Sequence, residues 1–211
     1  MVIMRFAHIY FEKYYTDYYK QNPPYKLKSY LNVLLKYKRE GSLLDVGCSY
    51  GLFTEIASRY FKCHGMDLNL EIIHRATKNV PHVPFIVGAL PCLPFRKLDA
   101  IMVFDVLEHI EDLETTMQNL LQSLNTNGLI IAVVPVYDGP LGRTVRRLDN
   151  DPTHLHKCSR KFWLDLVSRY FQLLEWKGIF RKLFFGKHYI YFHTFTLRRI
   201  SPAIIMVLRK N

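Results

Sequence analysis

Cysteine is scarce in this sequence, and no two cysteines stand close together. The 211 residues include four, Cys48, Cys63, Cys92 and Cys158, and no CxxC pair occurs. This scatter excludes a zinc-knuckle motif and the disulfide framework of a small secreted protein. We therefore expect free thiols and a reducing, cytoplasmic location.

The sequence also has no hydrophobic run long enough to cross a membrane. The longest runs, LIIAVVPV at 129–136 and AIIMVL at 203–208, fall well short of the roughly 20 residues that a membrane helix needs. Arg5 and His8 interrupt the apolar N-terminal stretch, which is not typical of a signal peptide. Neither a membrane span nor a leader is expected.

Acidic residues are few at both ends of the chain. Residues 1–40 carry 8 basic and 3 acidic side chains, residues 141–211 carry 15 and 4, and residues 41–140 carry 6 and 11, for a net charge of +11. Basic ends attract anionic partners such as RNA or phosphorylated substrates. The same charges also fit a solvated surface that keeps a protein soluble, and both interpretations stay open.

Hydrophobic patterning divides the chain near residue 41. Residues 1–40 are rich in tyrosine and lysine, and NPP at 22–24 separates two predicted helices, 5–20 and 25–39, as a cap or lid. Residues 41–211 alternate short apolar runs with amphipathic segments, which is typical of a parallel sheet covered by helices. Strands are predicted at 42–46, 63–68, 84–88, 99–104, 129–135, 171–180 and 203–210, and helices at 51–60, 70–78, 113–124 and 160–170. Gly128 is expected to take a positive φ where the third of these helices stops.

The stretch LLDVGCSYG, 43–51, joins the first predicted strand to a glycine-bearing turn and a helix. Such a turn presents backbone N–H groups to a ligand. It is not a dinucleotide fingerprint, since Ser49 stands at the second glycine position of G-x-G-x-x-G. Asp45 would repel a pyrophosphate and suits a cationic group such as an ammonium.

A second carboxylate ends the next predicted strand. Asp67 lies twenty residues beyond Gly47, where a carboxylate accepts hydrogen bonds from both hydroxyls of a ribose. A ligand that combines a ribose, an amine and a sulfonium is S-adenosylmethionine.

A resemblance to a known family covers residues 40–175. It rests on four stretches in this order, LLDVGCSYGLFTEIA, GMDL, GALPCLPF and DVLEHIED, followed by NTNGLIIAVVP. The chain resembles the class I S-adenosylmethionine-dependent methyltransferases, in particular the group that acts on small molecules. The resemblance implies an α/β, Rossmann-like fold with a seven-stranded, mostly parallel sheet, its last strand antiparallel, helices on both faces and an N-terminal helical cap.

The resemblance also implies a cofactor site. Gly47 and Gly51 would let the methionine moiety lie against the first turn, and Asp45 would reach its amino group. Asp67 would hold the ribose, and Leu68 would pack on the adenine. Further implied cofactor contacts are Cys48 and Ser49 in the turn, Ala89 and Leu90, and Phe104 and Asp105 on the methyl-transfer side. Ala89 replaces the acid that the family commonly has, so backbone groups would supply adenine recognition.

Catalytic candidates lie outside that turn. His154, in the element DPTH, would act as a base or orient the substrate, and His109 would line the pocket or cap a helix. The alternatives are a structural role or a metal site of His154, His156 and a nearby carboxylate. The resemblance implies no metal, because family members of this type usually need none.

The predicted function is methyl transfer to an oxygen, nitrogen or carbon atom of a small or medium-sized acceptor, for which the basic charge favours an anion. One alternative is an RNA methyltransferase, although NPPY at 22–25 precedes the cofactor motif and therefore reads as a helix break. The other is a catalytically silent binding protein, suggested by Ser49 and Ala89. Nothing in the sequence indicates an oligomeric state.

Overall fold

The computed structural model describes residues 18–184 and 188–211. The helices are α1 Tyr18–Gln21, α2 Pro24–Leu35, α3 Leu52–Ala57, α4 Leu70–Asn79, α5 Leu113–Ser123, α6 Gly142–Leu148 and α7 Arg160–Ser168, with a 3-10 turn at Leu107–His109. The strands are β1 Ser42–Val46, β2 Lys62–Asp67, β3 Phe85–Val87, β4 Leu98–Phe104, β5 Leu124–Pro135, β6 Gln172–Phe184, β7 His188–Thr194 and β8 Ala203–Arg209. Most of the predicted helix 5–20 lies outside the described residues.

The strands form one sheet in the order β3-β2-β1-β4-β5-β8-β6-β7. The first five strands are parallel to one another, and β8 runs antiparallel to β5 and β6. The predicted fold class and the antiparallel last strand are thereby confirmed. The sheet has eight strands where seven were expected, because the aromatic stretch 188–194 pairs with β6 as an edge strand.

The strand order reverses direction between β1 and β4, which are neighbours in the sheet. In sheets of this kind the crevice at such a switch point is where ligands bind. Asp45 of β1 is level with Gly65 of β2 and with Met102 of β4. The carboxyl ends of β1, β2 and β4 therefore meet at one edge, which brings the predicted cofactor residues together.

Helices cover both faces of the sheet. Trp163 and Leu166 of α7 and Met117 and Leu120 of α5 are buried against one face, together with core residues of the strands. Helix α2 packs on the other face with α3. Its residues Tyr30 and Leu34 are almost completely buried, so α2 is an integral layer of the fold.

One predicted turn residue was assigned wrongly. Helix α5 ends at Ser123, and β5 starts at Leu124, five residues earlier than expected. The positive φ of this connection belongs to Asn127, at 60°, because asparagine also tolerates the left-handed region. Glycine is needed at position 128 for a steric reason, since a Cβ there would stand 2.8 Å from the carbonyl oxygen of Asn125.

Among the described residues, no helix has both the length and the apolar character that a membrane crossing requires.

Candidate active site

The glycine turn after β1 is built from left-handed backbone. Gly47, Ser49 and Gly51 have φ values of 73°, 48° and 78°, and Gly51 precedes the first residue of α3. The backbone N–H groups of Gly47 and Cys48 donate to the carbonyl of Met66, at 2.8 and 3.1 Å. These bonds hold the turn against β2, while Gly47 itself stays exposed.

Asp45 is buried at the end of β1, with 2% of its surface exposed. The hydroxyl of Thr54 in α3 donates to its Oδ2 at 2.6 Å. Burial disfavours the charged carboxylate more than this bond favours it, and the pKa of Asp45 rises to about 7. The carboxylate therefore lacks the stabilisation that a nearby cation would provide.

Asp67 is the matching carboxylate at the end of β2. Its Oδ2 accepts from the backbone N–H of Ser49 and its Oδ1 from that of Asn69, both at 3.1 Å. Burial raises the pKa of Asp67 above its ordinary value, although both backbone bonds act in the opposite direction. The bond to Ser49 ties the end of β2 to the glycine turn.

No cationic side chain pairs with Asp45 or Asp67 within residues 18–184 and 188–211. Buried carboxylates are normally paired. A ligand with an ammonium and a sulfonium would supply the missing positive charge, and ribose hydroxyls would donate to Asp67. The donor and acceptor groups of this edge therefore fit S-adenosylmethionine.

Asp105 begins the loop after β4 and points toward β6. It has a positive φ of 54°, and its carboxylate receives two hydrogen bonds from Arg181 of β6, one of them at 2.6 Å. Burial alone would raise the pKa of Asp105, but the charge of Arg181 outweighs it and holds the pKa below the usual range. Asp105 thus links the ends of two strands beside the cofactor edge.

Lys26 of α2 lies near this pair, with 5% of its surface exposed. Its Nζ donates to the carbonyl of Gln21 at 3.1 Å and to Oδ1 of Asn22 at 3.0 Å. Burial, and next the charge of Arg181, lower the pKa of Lys26 to about 7. The amine is therefore close to an even balance of charged and neutral forms at neutral pH.

A second cluster joins the 3-10 turn after β4 to the loop before α7. The carbonyl of Glu108 accepts from the N–H groups of Leu155 and His156, at 2.9 and 3.1 Å. These bonds bring His154 beside His109, with ring centroids 4.7 Å apart. The two predicted catalytic histidines therefore lie together, next to a buried glutamate.

The burial of this cluster shifts the pKa of two members. Burial, reinforced by Asp105, raises the pKa of Glu108 well above its ordinary value. Burial and the neighbouring His154 lower the pKa of His109. In both residues burial therefore disfavours the charged form.

His156 is not part of the cluster. Its Nε2 donates to the carbonyl of Ile110 at 2.8 Å, and its ring contacts Phe162 and Trp163. His154 and His156 have different partners, because the loop folds back on the 3-10 turn and separates them. His156 holds the loop in place.

Comparison with known proteins identifies the family. A family model described as a methyltransferase domain matches residues 18–199, which is most of the chain. The chain belongs to the class I S-adenosylmethionine-dependent methyltransferases. The predicted family, enzyme class and cofactor are confirmed by this match.

Two curated relatives of the methyltransferase are the ubiquinone biosynthesis O-methyltransferases of Rickettsia canadensis and Rickettsia typhi. Each is 30% identical over 112 residues, which cover 50% of this chain. The aligned part spans less than half of the relatives' own length, 46% and 44%.

Solved structures show the same fold at low sequence identity. A Thermotoga maritima protein described as a possible histamine N-methyltransferase has a TM-score of 0.72 at 16% identity, covering 97% of this chain and 99% of that one. The N-methyltransferase NodS of Bradyrhizobium japonicum, in complex with S-adenosyl-L-homocysteine, has a TM-score of 0.64 at 17% identity, covering 87% and 85%.

Other predicted cofactor residues surround the edge of the methyltransferase sheet. Leu68 is 42% exposed directly after Asp67, Ala89 is exposed, and Leu90 is buried. Phe104 packs between Tyr30 and Phe53, with ring centroids 4.4 and 5.1 Å away. The contacts of these residues with the cofactor stay predictions. Phe104 is held in place by the two aromatic rings that it contacts.

Sequence reasoning missed three residues of this region, Tyr18, Lys26 and Arg181. The ring of Tyr18 lies 4.9 Å from that of Tyr50 in the glycine turn, and burial raises the pKa of Tyr18. Arg181 stands 76 positions from its partner Asp105. Only the concentration of basic and aromatic residues in the two end segments signalled their involvement.

Proposed function

We propose that this methyltransferase moves a methyl group from S-adenosylmethionine to an oxygen atom of a small or medium-sized acceptor. The observation that carries the proposal is the pair of buried carboxylates, Asp45 and Asp67, which lack a cationic partner in the described structure. Asp45 would bind the amino group and Asp67 the ribose of the donor. The names of the curated relatives support oxygen as the acceptor atom, ahead of nitrogen or carbon.

The chain's own residues would act by positioning and by accepting a proton. Methyl transfer from a sulfonium is an in-line displacement with a good leaving group, so alignment and exclusion of water lower much of the barrier. A hydroxyl acceptor must also lose its proton. His154 and His109 are the proposed catalytic residues, because their rings lie beside each other, and His109 is in the segment after β4 that also contains Asp105.

The surroundings of Asp105 support an anionic acceptor. Arg181 neutralises Asp105, and Lys26, whose pKa is lowered to about 7, adds a partial positive charge nearby. A negative group on the acceptor would face these two side chains. We expect acceptors with a carboxylate or phosphate to be preferred over neutral ones of the same size.

The proposed division of the chain is a cap at 1–40 and the methyltransferase domain at 41–211. Tyr18 supports this division, because it covers the glycine turn. The proposed cap includes α2, which is packed on the sheet as an integral layer of the fold, so this part of the cap would be fixed in place. All four cysteines are free, which supports the proposed cytoplasmic location.

A transfer assay with methyl-labelled S-adenosylmethionine tests the function. The acceptors are phenolic acids, matched amines and total RNA, measured at low and high salt. We expect label on the phenolic acids. Label on RNA alone, lost as ionic strength rises, would favour the RNA alternative. Cofactor binding without transfer to any acceptor in the panel would favour the silent protein.

A further inference from the structure

The cluster after β4 has the composition of a metal site. Glu108, His109 and His154 each offer one ligand atom, and these three atoms lie within 4.8 Å of one another. Two imidazoles and one carboxylate form a ligand set found at catalytic zinc centres, where the fourth position stays open. No metal is predicted from the sequence, and the one metal site that the sequence leaves open as an alternative contains His156.

A hydrogen bond at Nδ1 orients the ring of His154 so that its other nitrogen, Nε2, can bind a metal ion. Nδ1 lies 2.9 Å from Oδ2 of Asp149, and Lys157 contacts the same oxygen at 3.0 Å. Because an ionised carboxylate only accepts hydrogen bonds, Nδ1 must carry the proton. The lone pair of His154 is then on Nε2, and the carboxylate–histidine arrangement is the one that supports metal-binding histidines.

His109 is oriented in the same manner by Thr153. The Thr153 hydroxyl donates to Oδ1 of Asp151 at 2.6 Å, so it accepts from Nδ1 of His109 at 2.9 Å. The Thr153 carbonyl is a second acceptor for that nitrogen, at 3.1 Å. His109 therefore carries its proton on Nδ1, and Nε2 is the ligand atom.

Glu108 supplies the independent sign that a ligand belongs here. Its side chain is 1% exposed, and within the described structure its Oε2 has no hydrogen-bond partner. Its Oε1 is 3.9 Å from Nε2 of His154. A buried carboxylate oxygen without a partner is costly, and a cation between these atoms would satisfy it.

We propose that Glu108, His109 and His154 bind one divalent transition-metal ion, with Zn²⁺ the best match to a ligand set of two imidazoles and one carboxylate. Ligands about 2.0–2.1 Å from a tetrahedral ion stand about 3.4 Å apart. Since the ligand atoms lie within 4.8 Å of one another, the three side chains must approach one another by up to about 1.4 Å on binding. Asp149 and Thr153 are the positioning residues.

The role of the ion rests on the proposed function. An acceptor hydroxyl at the open position would have its pKa lowered and would release its proton to water. With the ion bound, His109 and His154 would act as ligands and not as the proton acceptors. The oxygen then forms a bond to the methyl carbon, the carbon–sulfur bond breaks, and its electron pair stays on S-adenosylhomocysteine. Binding of the ion does not itself require the cofactor.

Equilibrium dialysis of the full chain against micromolar Zn²⁺, followed by metal analysis, tests the site without any cofactor. We expect one ion per chain, loss of that ion in Glu108→Gln and in His154→Gln, and 10–100-fold weaker binding in Asp149→Asn. His74→Gln is the matched control, because His74 is exposed on α4, away from the cluster, and should leave binding unchanged. When Co²⁺ replaces Zn²⁺, the visible absorption spectrum should be that of a Co²⁺ ion bound by nitrogen and oxygen ligands.

The proposal is overturned if the wild-type chain binds no ion, or if Glu108→Gln and His154→Gln bind it as tightly as the wild type. Calorimetry with S-adenosylhomocysteine on the same variants separates the two proposals. Retained cofactor binding shows that the variants are folded and attributes the loss of the ion to the cluster. Metal binding by a wild-type chain that does not bind the cofactor would refute the proposed function alone.

Discussion

At the scale of single residues, the proposed cofactor site depends on carboxylates whose burial disfavours their charged form. Asp45 is 2% exposed and has a pKa near 7, far above the value of about 3.9 in an unfolded chain. Between pH 4 and pH 7 the folded state therefore binds a proton that the unfolded state does not. The contribution of Asp45 to the free energy of unfolding therefore falls as the pH rises through this window, and it is lowest above pH 7.

Replacing Asp45 with Asn should have opposite effects on stability and on binding. At pH 8 we expect the free energy of unfolding of the empty protein to rise by roughly 1–3 kcal/mol, because a buried charge is removed. S-adenosylhomocysteine should bind at least tenfold more weakly, because its ammonium loses a partner. Urea unfolding at pH 5 and pH 8, together with calorimetry, measures both quantities.

Asp165→Asn is the control, since the side chain of Asp165 is 61% exposed on α7 and should change neither quantity. Two results would contradict this assignment of Asp45. One is that the Asp45→Asn variant unfolds at a lower urea concentration than the wild type at pH 8, and the other is that it binds S-adenosylhomocysteine with wild-type affinity.

The sequence predicted the residues that stand in one local pattern and not those that meet across the fold. Asp45, Gly47, Gly51 and Asp67 follow the strand–turn–helix pattern, so their spacing identifies them. The contact of Arg181 with Asp105 depends on how the antiparallel half of the sheet is placed. No local pattern encodes that placement.

At the scale of elements, the turn between β1 and α3 is the most constrained connection in the site. Gly51 has a φ of 78°, and a Cβ there would lie 2.9 Å from the ring of Phe85. Residues other than glycine are strained in this conformation. The turn is held on both sides, by Met66 of β2 and by α3, so little relaxation is available to it.

Gly51→Ala should lower the free energy of unfolding by about 2–4 kcal/mol, through backbone strain and the clash with Phe85. Gly139→Ala is the matched control. Gly139 has a similar φ of 71° but is exposed, and its nearest atom is at 3.2 Å. We expect it to cost about 1 kcal/mol. Equal losses in the two variants, measured by urea unfolding, would show that packing at Gly51 is unimportant.

Element boundaries were predictable where the hydrophobic period was clear. Strands β1, β2 and β4 and helices α4, α5 and α7 lie within a few residues of their predicted positions. Strand β7 was missed, because both of its faces carry aromatic or apolar side chains: Ile190 and Phe192 on the exposed face, Tyr189 and Tyr191 on the half-buried one. The sequence therefore shows no alternation of apolar and polar residues there. Helix α6 was missed because it lies in the polar segment 137–158. Its one buried residue is Gly142, which gives the helix no hydrophobic period.

At the scale of the whole molecule, two distant parts of the chain complete a site whose centre is acidic. Residues 41–140 have a net charge of −5, and the segments on either side are basic. Lys26 from the first segment and Arg181 from the last approach Asp105 at the sheet edge. This arrangement brings Asp45 and Asp67, which have no cationic partner among the described residues, to the same sheet edge as the proposed acceptor side.

The fold and the cofactor edge could be inferred from the sequence because they depend on the alternating strands and helices of one continuous region. The acceptor side depends on contacts between the two ends and the middle of the chain. Those contacts became visible only in three dimensions, and the Glu108, His109 and His154 cluster is among them.

The most direct test of the central claim is calorimetric titration of the protein with S-adenosylhomocysteine. The wild-type chain should bind one equivalent, and Asp67→Ala should bind about 30-fold more weakly, a loss of about 2 kcal/mol. Asp165→Ala, which removes a surface carboxylate, should bind like the wild type. No binding at near-millimolar ligand, or equal affinity in Asp67→Ala, would contradict the account of this cofactor site.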